Sequence, residues 1–333
     1  MRREYYNSHV SIFIFHPTLM DPLKNTLHVR AKALELGFDQ CGFAKAGKLD
    51  EDAFRLEEWL KSGQHGNMGW MENNFDKRVD PTKLVPGAKS VVSVIAGYRF
   101  KENEQYDQNY NVPNISKYAR GRDYHKLFKN RLKHLFQYTQ ELIGDVNGRI
   151  FVDSAPVLDR AWGRLAGNGW IGKNSMLMNK TYGSWFFIGE MIIDVPFVYD
   201  APETDHCGTC TKCIDACPTN AIFEPQKVDG SKCISYLTIE MKETMPDEFK
   251  EQLGEWMFGC DICQDVCPWN RKAKYGSYDD LKPREKVLYP AERNWSEITE
   301  EKFNDIFEGS AVRRATHRWF VRNAKIAEQN LRD

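Results

Sequence analysis

Eight of the nine cysteines fall between Cys207 and Cys267. The first run is Cys207-x2-Cys210-x2-Cys213-x3-Cys217-Pro218. The second is Cys260-x2-Cys263-x3-Cys267-Pro268, with Cys233 as an outlying member. The x2 spacing lets three sulfurs converge on one cubane, and the proline then turns the chain away. The first run has the bacterial [4Fe–4S] spacing, in which the fourth cysteine ligates the other cluster. Carried through both runs, that swap assigns Cys207, Cys210, Cys213 and Cys267 to cluster one. Cys217, Cys233, Cys260 and Cys263 go to cluster two. Zinc is a poor fit, because three cysteines at x2 spacing crowd one tetrahedral ion. Disulfides need an oxidising compartment, and no secretory signal is visible. Cys41 reads as an ordinary buried thiol.

A chain of 333 residues suggests two or three domains, and 41% hydrophobic content supports a sizeable core. Net charge is −1, so any nucleic-acid partner must be held by local patches. No run approaches the ~18 apolar residues of a membrane span. Residues 1–19 are an uninformative extension, and Arg2-Arg3 is a poor twin-arginine candidate.

Periodicity predicts helices over 23–36, 54–61 and 124–142, the last with Phe128, Leu132, Leu135, Thr139 and Leu142 on one stripe. Strands are expected over 38–43, 90–96, 150–153 and 185–193, with helix again over 295–330. Helices and strands therefore alternate ahead of a cysteine module with little regular pattern of its own. That implies an α/β or α+β catalytic domain plus a ferredoxin-like insert, α+β for the chain as a whole.

Several further segments carry a resemblance. They are Tyr118-Ala119-Arg120-Gly121-Arg122-Asp123-Tyr124-His125, Ile150-Phe151-Val152-Asp153-Ser154-Ala155-Pro156-Val157-Leu158-Asp159-Arg160, Gly169-Trp170-Ile171-Gly172-Lys173-Asn174-Ser175 and Gly183-Ser184-Trp185-Phe186-Phe187-Ile188-Gly189-Glu190. With Cys260-Asp261-Ile262-Cys263-Gln264-Asp265-Val266-Cys267-Pro268-Trp269-Asn270, they resemble the epoxyqueuosine reductases over roughly 20–333. One departure is that many members continue into a helical-repeat domain well beyond Arg313-Arg314.

The resemblance implies a nitroreductase-like, cobalamin-binding α/β domain over 20–200. A ferredoxin-like module with two [4Fe–4S] clusters follows over 201–275, then a short helical segment over 276–333. It implies two-electron reduction of epoxyqueuosine to queuosine at the wobble position of a tRNA anticodon stem-loop. Cobalamin would be base-off and fed by the clusters. A low-potential donor of ferredoxin or flavodoxin type, a monomeric state, no membrane and a cytoplasmic location complete the expectation.

Asp153, ending an apolar strand, is expected as proton donor, and burial against a corrin face would raise its pKa and keep it protonated. The competing role is an N-cap for the segment near Pro156. Asp159, followed by Arg160, reads as a surface pair. Arg78, Gly172, Lys173, Asn174, Ser175 and Ile188 are the expected cobalamin contacts, with Asp153 beside them. For Arg78, a solvated loop arginine is the other reading. Asp123-Tyr124-His125 nearly spells a lower-ligand motif but lacks its glycine, leaving His125 a tail contact or a structural residue. Arg122, Lys126, Lys129 and Lys133 share one helix face, in a segment (117–134) with seven Lys/Arg and one acid. Arg314, Arg318, Arg322 and Lys325 line a second face. Both are candidates for tRNA phosphates. Trp319, His317 or Tyr124 would stack bases; the plain alternative is a solvated helix face. Two other readings stand beside this one, a reductive dehalogenase acting on a small organic and a non-catalytic two-cluster electron carrier.

Overall fold

The computed structural model describes residues 21–109, 112–289 and 294–332. The extension over 1–19 lies outside them. Helix α1 (Pro22–Glu35) starts at Asp21, whose side chain accepts from the Leu23 N–H. Strand β1 (Gln40–Lys45) follows, then α2 (Asp50–Lys61) and β2 (Ser90–Gly97). Helix α3 (Tyr124–Ile143) leads to β3 (Gly148–Phe151), α4 (Asp159–Leu165) and β4 (Phe186–Ile193). These four strands form one antiparallel sheet in the order β1-β2-β4-β3.

All eight residues of β2 are buried, because the sheet is covered on both faces. On one face, Val92, Val94, Met191 and Ile193 meet Val29 and Ala33 of α1 and Phe128, Leu132 and Leu135 of α3. Each such side chain contributes roughly 1.5–3 kcal/mol by burial. On the other face, Val91, Phe151 and Ile192 meet Ala161 and Trp162 of α4. Gly42 permits this approach, since a Cβ there would lie 1.8 Å from the Ala166 carbonyl oxygen.

The cysteine region consists of short turns and four-residue helices. It is stitched to the sheet domain by parallel pairing of Trp256–Phe258 with Asn114–Ile115. Buried Asp261 adds to the seam by accepting from the Ser116 hydroxyl and the Lys117 N–H. Helix α5 (Ile234–Ile239) follows Cys233, and α6 (Thr316–Asn330) closes the chain. Phe303, Phe307, Trp295 and Phe320 form an aromatic core there, joined to Ile115 and Phe258. Asn323, fully buried in α6, donates to the Thr238 and Met257 carbonyls. Among the described residues no helix is long and apolar enough to cross a membrane.

Candidate active site

The two cysteine runs fold alike. Cys213 rides the helix Lys212–Asp215 and Cys263 the helix Ile262–Asp265, and these helices pack together. All nine cysteines are free thiols. Burial pushes Cys213 up to about 11, and its thiol neighbours are Cys267 and Cys207. Cys233 has Cys217 beside it; Cys260 has Cys263 and Cys233. Cys263 is also raised by burial, with Cys233 first among its thiol neighbours. Cys263 also has Cys213 and Cys217 near it, so the two runs stand side by side.

Among the described residues no three Cys, His, Asp or Glu side chains converge as donors to one ion. Backbone N–H groups of Ser235 and Tyr236 face Cys233, and that of Ile262 faces Cys260. The buried Trp170 indole N–H has no hydrogen-bond partner, and the Cys207 sulfur lies beside it. Such donors hold and tune iron–sulfur groups. Cys41 is a buried thiol, pushed up to about 12 by burial.

Asp153 lies two residues beyond the end of β3, at φ +52°. The Ser154 N–H bonds the Val152 carbonyl at 2.6 Å, closing a tight turn about Asp153. Strained aspartates of this kind concentrate at functional sites. Asp153 caps nothing: α4 begins after Leu158 with no side-chain cap. Its Oδ2 accepts from the Tyr124 hydroxyl at 2.9 Å and lies 2.9 Å from His125 Nε2. His125 Nδ1 is 2.7 Å from Asp123 Oδ1, which also accepts the His125 backbone N–H. Tyr124 is stacked on Phe187, with ring centroids 4.0 Å apart.

The chain's own groups act on Asp153 in opposite senses. Burial acts upward, but hydrogen bonding and attraction from His125 prevail, and the carboxyl is held below its ordinary value. The imidazole takes the proton instead. Burial acts downward on it, yet Asp123 and Asp153 push His125 up to about 9. Both ring nitrogens then donate to carboxylates. His125 thus bridges Asp123 and Asp153. The adjacent Asp123-Tyr124-His125 was its visible sequence signal.

Asp159 also departs from expectation. It is no surface pair with Arg160; it faces Glu190 of β4, which is completely buried. Arg78 is buried too, not a solvated loop arginine. It donates to the Trp70 carbonyl at 3.1 Å and is drawn toward Asp159.

Gly172, Lys173, Asn174 and Ser175 form the turn joining the paired segments Trp170–Ile171 and Leu177–Met178. Ile171 and Leu177 pack with Ile188, so the structure gathers these five expected residues. Asn174 is buried, with its Nδ2 unpartnered. Ser175 takes φ +62° and its carbonyl accepts from Arg160. Lys173 reaches the Gly208 carbonyl at 2.7 Å, and its backbone N–H faces Cys207. The turn thus abuts the first cysteine run.

Arg122, Lys126, Lys129 and Lys133 are all exposed, opposite the buried stripe of α3. The C-terminal stripe is divided. Arg314 makes a two-pronged pair with Glu240 and lies close enough to attract Asp153. Arg322 turns inward and donates to the Leu237, Met241 and Glu243 carbonyls. Arg318 stays exposed, its guanidinium 4.7 Å from the Trp319 ring centre. A groove of about 500 Å³ runs along His317, Arg318, Trp319, Val321, Arg322 and Lys325. Of the expected stacking rings, Tyr124 is committed to Phe187, and His317 to the Ile298 carbonyl through its Nε2.

A paired cysteine module docked on an α+β domain, next to a charged acid–imidazole pair, defines a two-cluster iron–sulfur oxidoreductase. Residues 206–270 match the family model "4Fe-4S double cluster binding domain". Residues 78–154 match "Epoxyqueuosine reductase QueG, DUF1730". An epoxyqueuosine reductase of Cyclobacterium marinum is 52% identical over 90% of this chain and 96% of its own length. That of Escherichia coli is 41% identical, over 91% of this chain and 80% of the relative. A solved epoxyqueuosine reductase holding an epoxyqueuosine-modified tRNA-Tyr stem loop matches at TM-score 0.83 and 30% identity, covering 94% of this chain and 83% of that one. A Bacillus subtilis structure, described with its aspartate catalytic loop swung out of the active site, matches at 0.83 and 29% with the same coverage. The chain belongs to the epoxyqueuosine reductase family.

Proposed function

We propose that this protein reduces epoxyqueuosine to queuosine at the wobble position of a tRNA. Removing the epoxide oxygen as water takes two electrons and two protons and leaves an alkene. The carrying observation is the Asp153 carboxylate, gripped by His125 and Tyr124 at the mouth of the site. It stands one short helix away from a turn that abuts the cysteine module. The aspartate loop described for the Bacillus subtilis enzyme supports a reacting role for Asp153. The stem loop bound by the solved relative supports a tRNA substrate.

The two clusters are held by Cys207, Cys210, Cys213 and Cys267, and by Cys217, Cys233, Cys260 and Cys263. Cobalamin, when bound, supplies the strongly reducing cobalt that an epoxide carbon needs. The residues present suit it. The unpartnered Asn174 amide and the backbone of Gly172, Lys173 and Ser175 offer donors to corrin amides and the tail phosphate. Ile188 offers an apolar contact. His125, committed to two aspartates, is not free to ligate cobalt, which agrees with a base-off form.

The chain's own residues manage the proton. Asp123 orients His125, His125 carries the charge, and Asp153 presents the proton to the epoxide oxygen. Tyr124 fixes the carboxylate. Arg122, Lys126, Lys129, Lys133, Arg314 and Arg318 hold tRNA phosphates, and Arg322 braces α6 behind them. The remaining assignments follow the same reading. They are a nitroreductase-like domain over 20–200, a cluster module over 201–275, a helical segment over 276–333, a ferredoxin or flavodoxin donor, a monomer and a cytoplasmic location.

The test is anaerobic reconstitution with iron, sulfide and cobalamin, followed by EPR and single turnover on epoxyqueuosine-containing tRNA. A base-off Co(II) signal with queuosine formed is expected. Clusters without a cobalt signal would leave an electron carrier. Cobalt without turnover would turn attention to a halogenated organic substrate.

A further inference from the structure

The reaction proposed above consumes two protons for every oxygen removed, and the His125–Asp153 pair holds one. A second carboxyl pair lies behind it. Glu190 sits in the middle of β4, opposite Phe151 on one side and Ser93 on the other. It is completely buried, and neither carboxylate oxygen has a donor. Asp159, at the first position of α4, is the group it faces, and Asp159 Oδ1 is likewise buried without a donor. Ser93 shares this face, and its hydroxyl is buried and unpartnered.

Glu190, with both oxygens buried and no donor from another residue, is satisfied when it shares a proton with the Asp159 carboxyl it faces. The charged groups facing them are few. Arg78, Arg160 and Asp153 act on Asp159, and Asp153 on Glu190. Arg78 Nε is also buried and unpartnered. Asp153 and Asp159 begin and end a single connection, 153–159, between β3 and α4.

We propose that Glu190 and Asp159 form a one-proton store that resupplies Asp153, delivering the second proton needed for the epoxide oxygen to leave as water. This rests on the reading that the protein reduces an epoxide. In the balanced step, two electrons from the external low-potential reductant break the two C–O bonds and form the alkene. One proton reaches the oxygen from the His125–Asp153 pair and one from the Glu190–Asp159 pair through Asp153. Glu190 and Asp159 touch no substrate and act through Asp153. Burial of Glu190, reinforced by Asp159, raises its affinity for a proton well above the ordinary carboxyl range. Burial pushes Asp159 up to about 7. The pair therefore keeps a proton at pH values where ordinary carboxyls have lost theirs.

Glu190→Gln keeps the shape and a donor to Asp159 but removes the exchangeable proton. In reconstituted protein, the wild-type infrared spectrum should keep a protonated-carboxyl band at pH 8, and Glu190→Gln should lose it. Single turnover by the variant should be slowed roughly tenfold at pH 8, below the 10²–10⁴ of a directly acting acid. It should recover toward pH 6, where Asp159 alone is protonated, with cluster content and tRNA affinity unchanged. Asp159→Asn makes the same test should Glu190→Gln not fold. Absence of the band from wild type at pH 8, or an unchanged pH–rate profile in a variant that turns over, would overturn the proposal. Failure of wild type to turn over would instead overturn the epoxide-reduction reading, and the infrared band is read independently of it.

Discussion

Replacing His125 by glutamine tests where the site keeps its proton. Glutamine retains a donor toward Asp153 and removes the positive charge. In the native site the imidazole rises from 6.5 to about 9 because the attraction of Asp123 and Asp153 exceeds the downward effect of burial. A raised histidine stabilises the fold fully below its unfolded value and loses that contribution as pH climbs through about 9. The lowered Asp153 works in the opposite sense: its contribution is present above 3.8 and is lost as pH falls. The pair therefore stabilises between about pH 4 and pH 9. At full strength the histidine rise corresponds to roughly 3 kcal/mol. Side-chain exposures of 32% for His125 and 58% for Asp153 let water screen the pair. About 1–2 kcal/mol is what survives that screening. Denaturant unfolding of His125→Gln should show that deficit near pH 6 and almost none near pH 10. In single turnover the wild type should hold its rate until pH passes about 9. In the variant Asp153 must carry the proton itself, so activity should survive only in acid, with roughly a 100-fold loss at pH 7. A variant with the wild-type rate at pH 7 and the same alkaline limb would refute the assignment of the proton to His125.

Four other outcomes follow from the same geometry. Asp153→Asn should keep both clusters and tRNA affinity, as read by iron content and gel shift, while single turnover falls about 10²–10⁴-fold. Cys267→Ser should take iron from about eight toward about four per chain, because Cys267 completes cluster one from the far run; loss of both clusters, or of neither, would contradict the swapped pattern. Arg318→Ala should lower the salt slope of tRNA binding by about one. Arg322→Ala, by removing the donors to three carbonyls, two of them part-buried, should lower stability by about 1–3 kcal/mol in thermal unfolding.

Much of this was legible in the sequence. The β2 and β4 strands read as continuous apolar runs because both faces of the sheet are covered. Helix α3 read as a stripe because one face meets solvent. The cysteine spacing carried the double-cluster module, since three of the ligands in each run sit close together in sequence. Position 153 was legible as a strand-ending acid. Its ionisation was not, because the deciding partner, His125, lies 28 residues earlier and meets it only in the folded chain. Glu190 had a visible signal, a lone acid inside an apolar strand, but its partner Asp159 looked like half of an ordinary Asp–Arg pair. Arg322 failed for a related reason. Helical spacing places it on the basic face, yet its long side chain bends back to cap carbonyls after α5, and spacing carries no information about that.

Helix α4 explains why these parts occur together. Its first residue, Asp159, faces Glu190, and its second, Arg160, is drawn by Asp153 and Asp159 while donating to the Ser175 carbonyl. Seven residues of helix thus connect the acid turn on one side to the Gly172–Ser175 turn on the other. That second turn touches the first cysteine run through Lys173 and Trp170. On the proposed reading, electrons reaching a cluster at Cys207 and the proton of the His125–Asp153 pair meet two turns fixed by one rigid element. A reductive opening that needs both within a single encounter gains from that arrangement, because a shift in either turn is resisted by the guanidinium that ties it to the other.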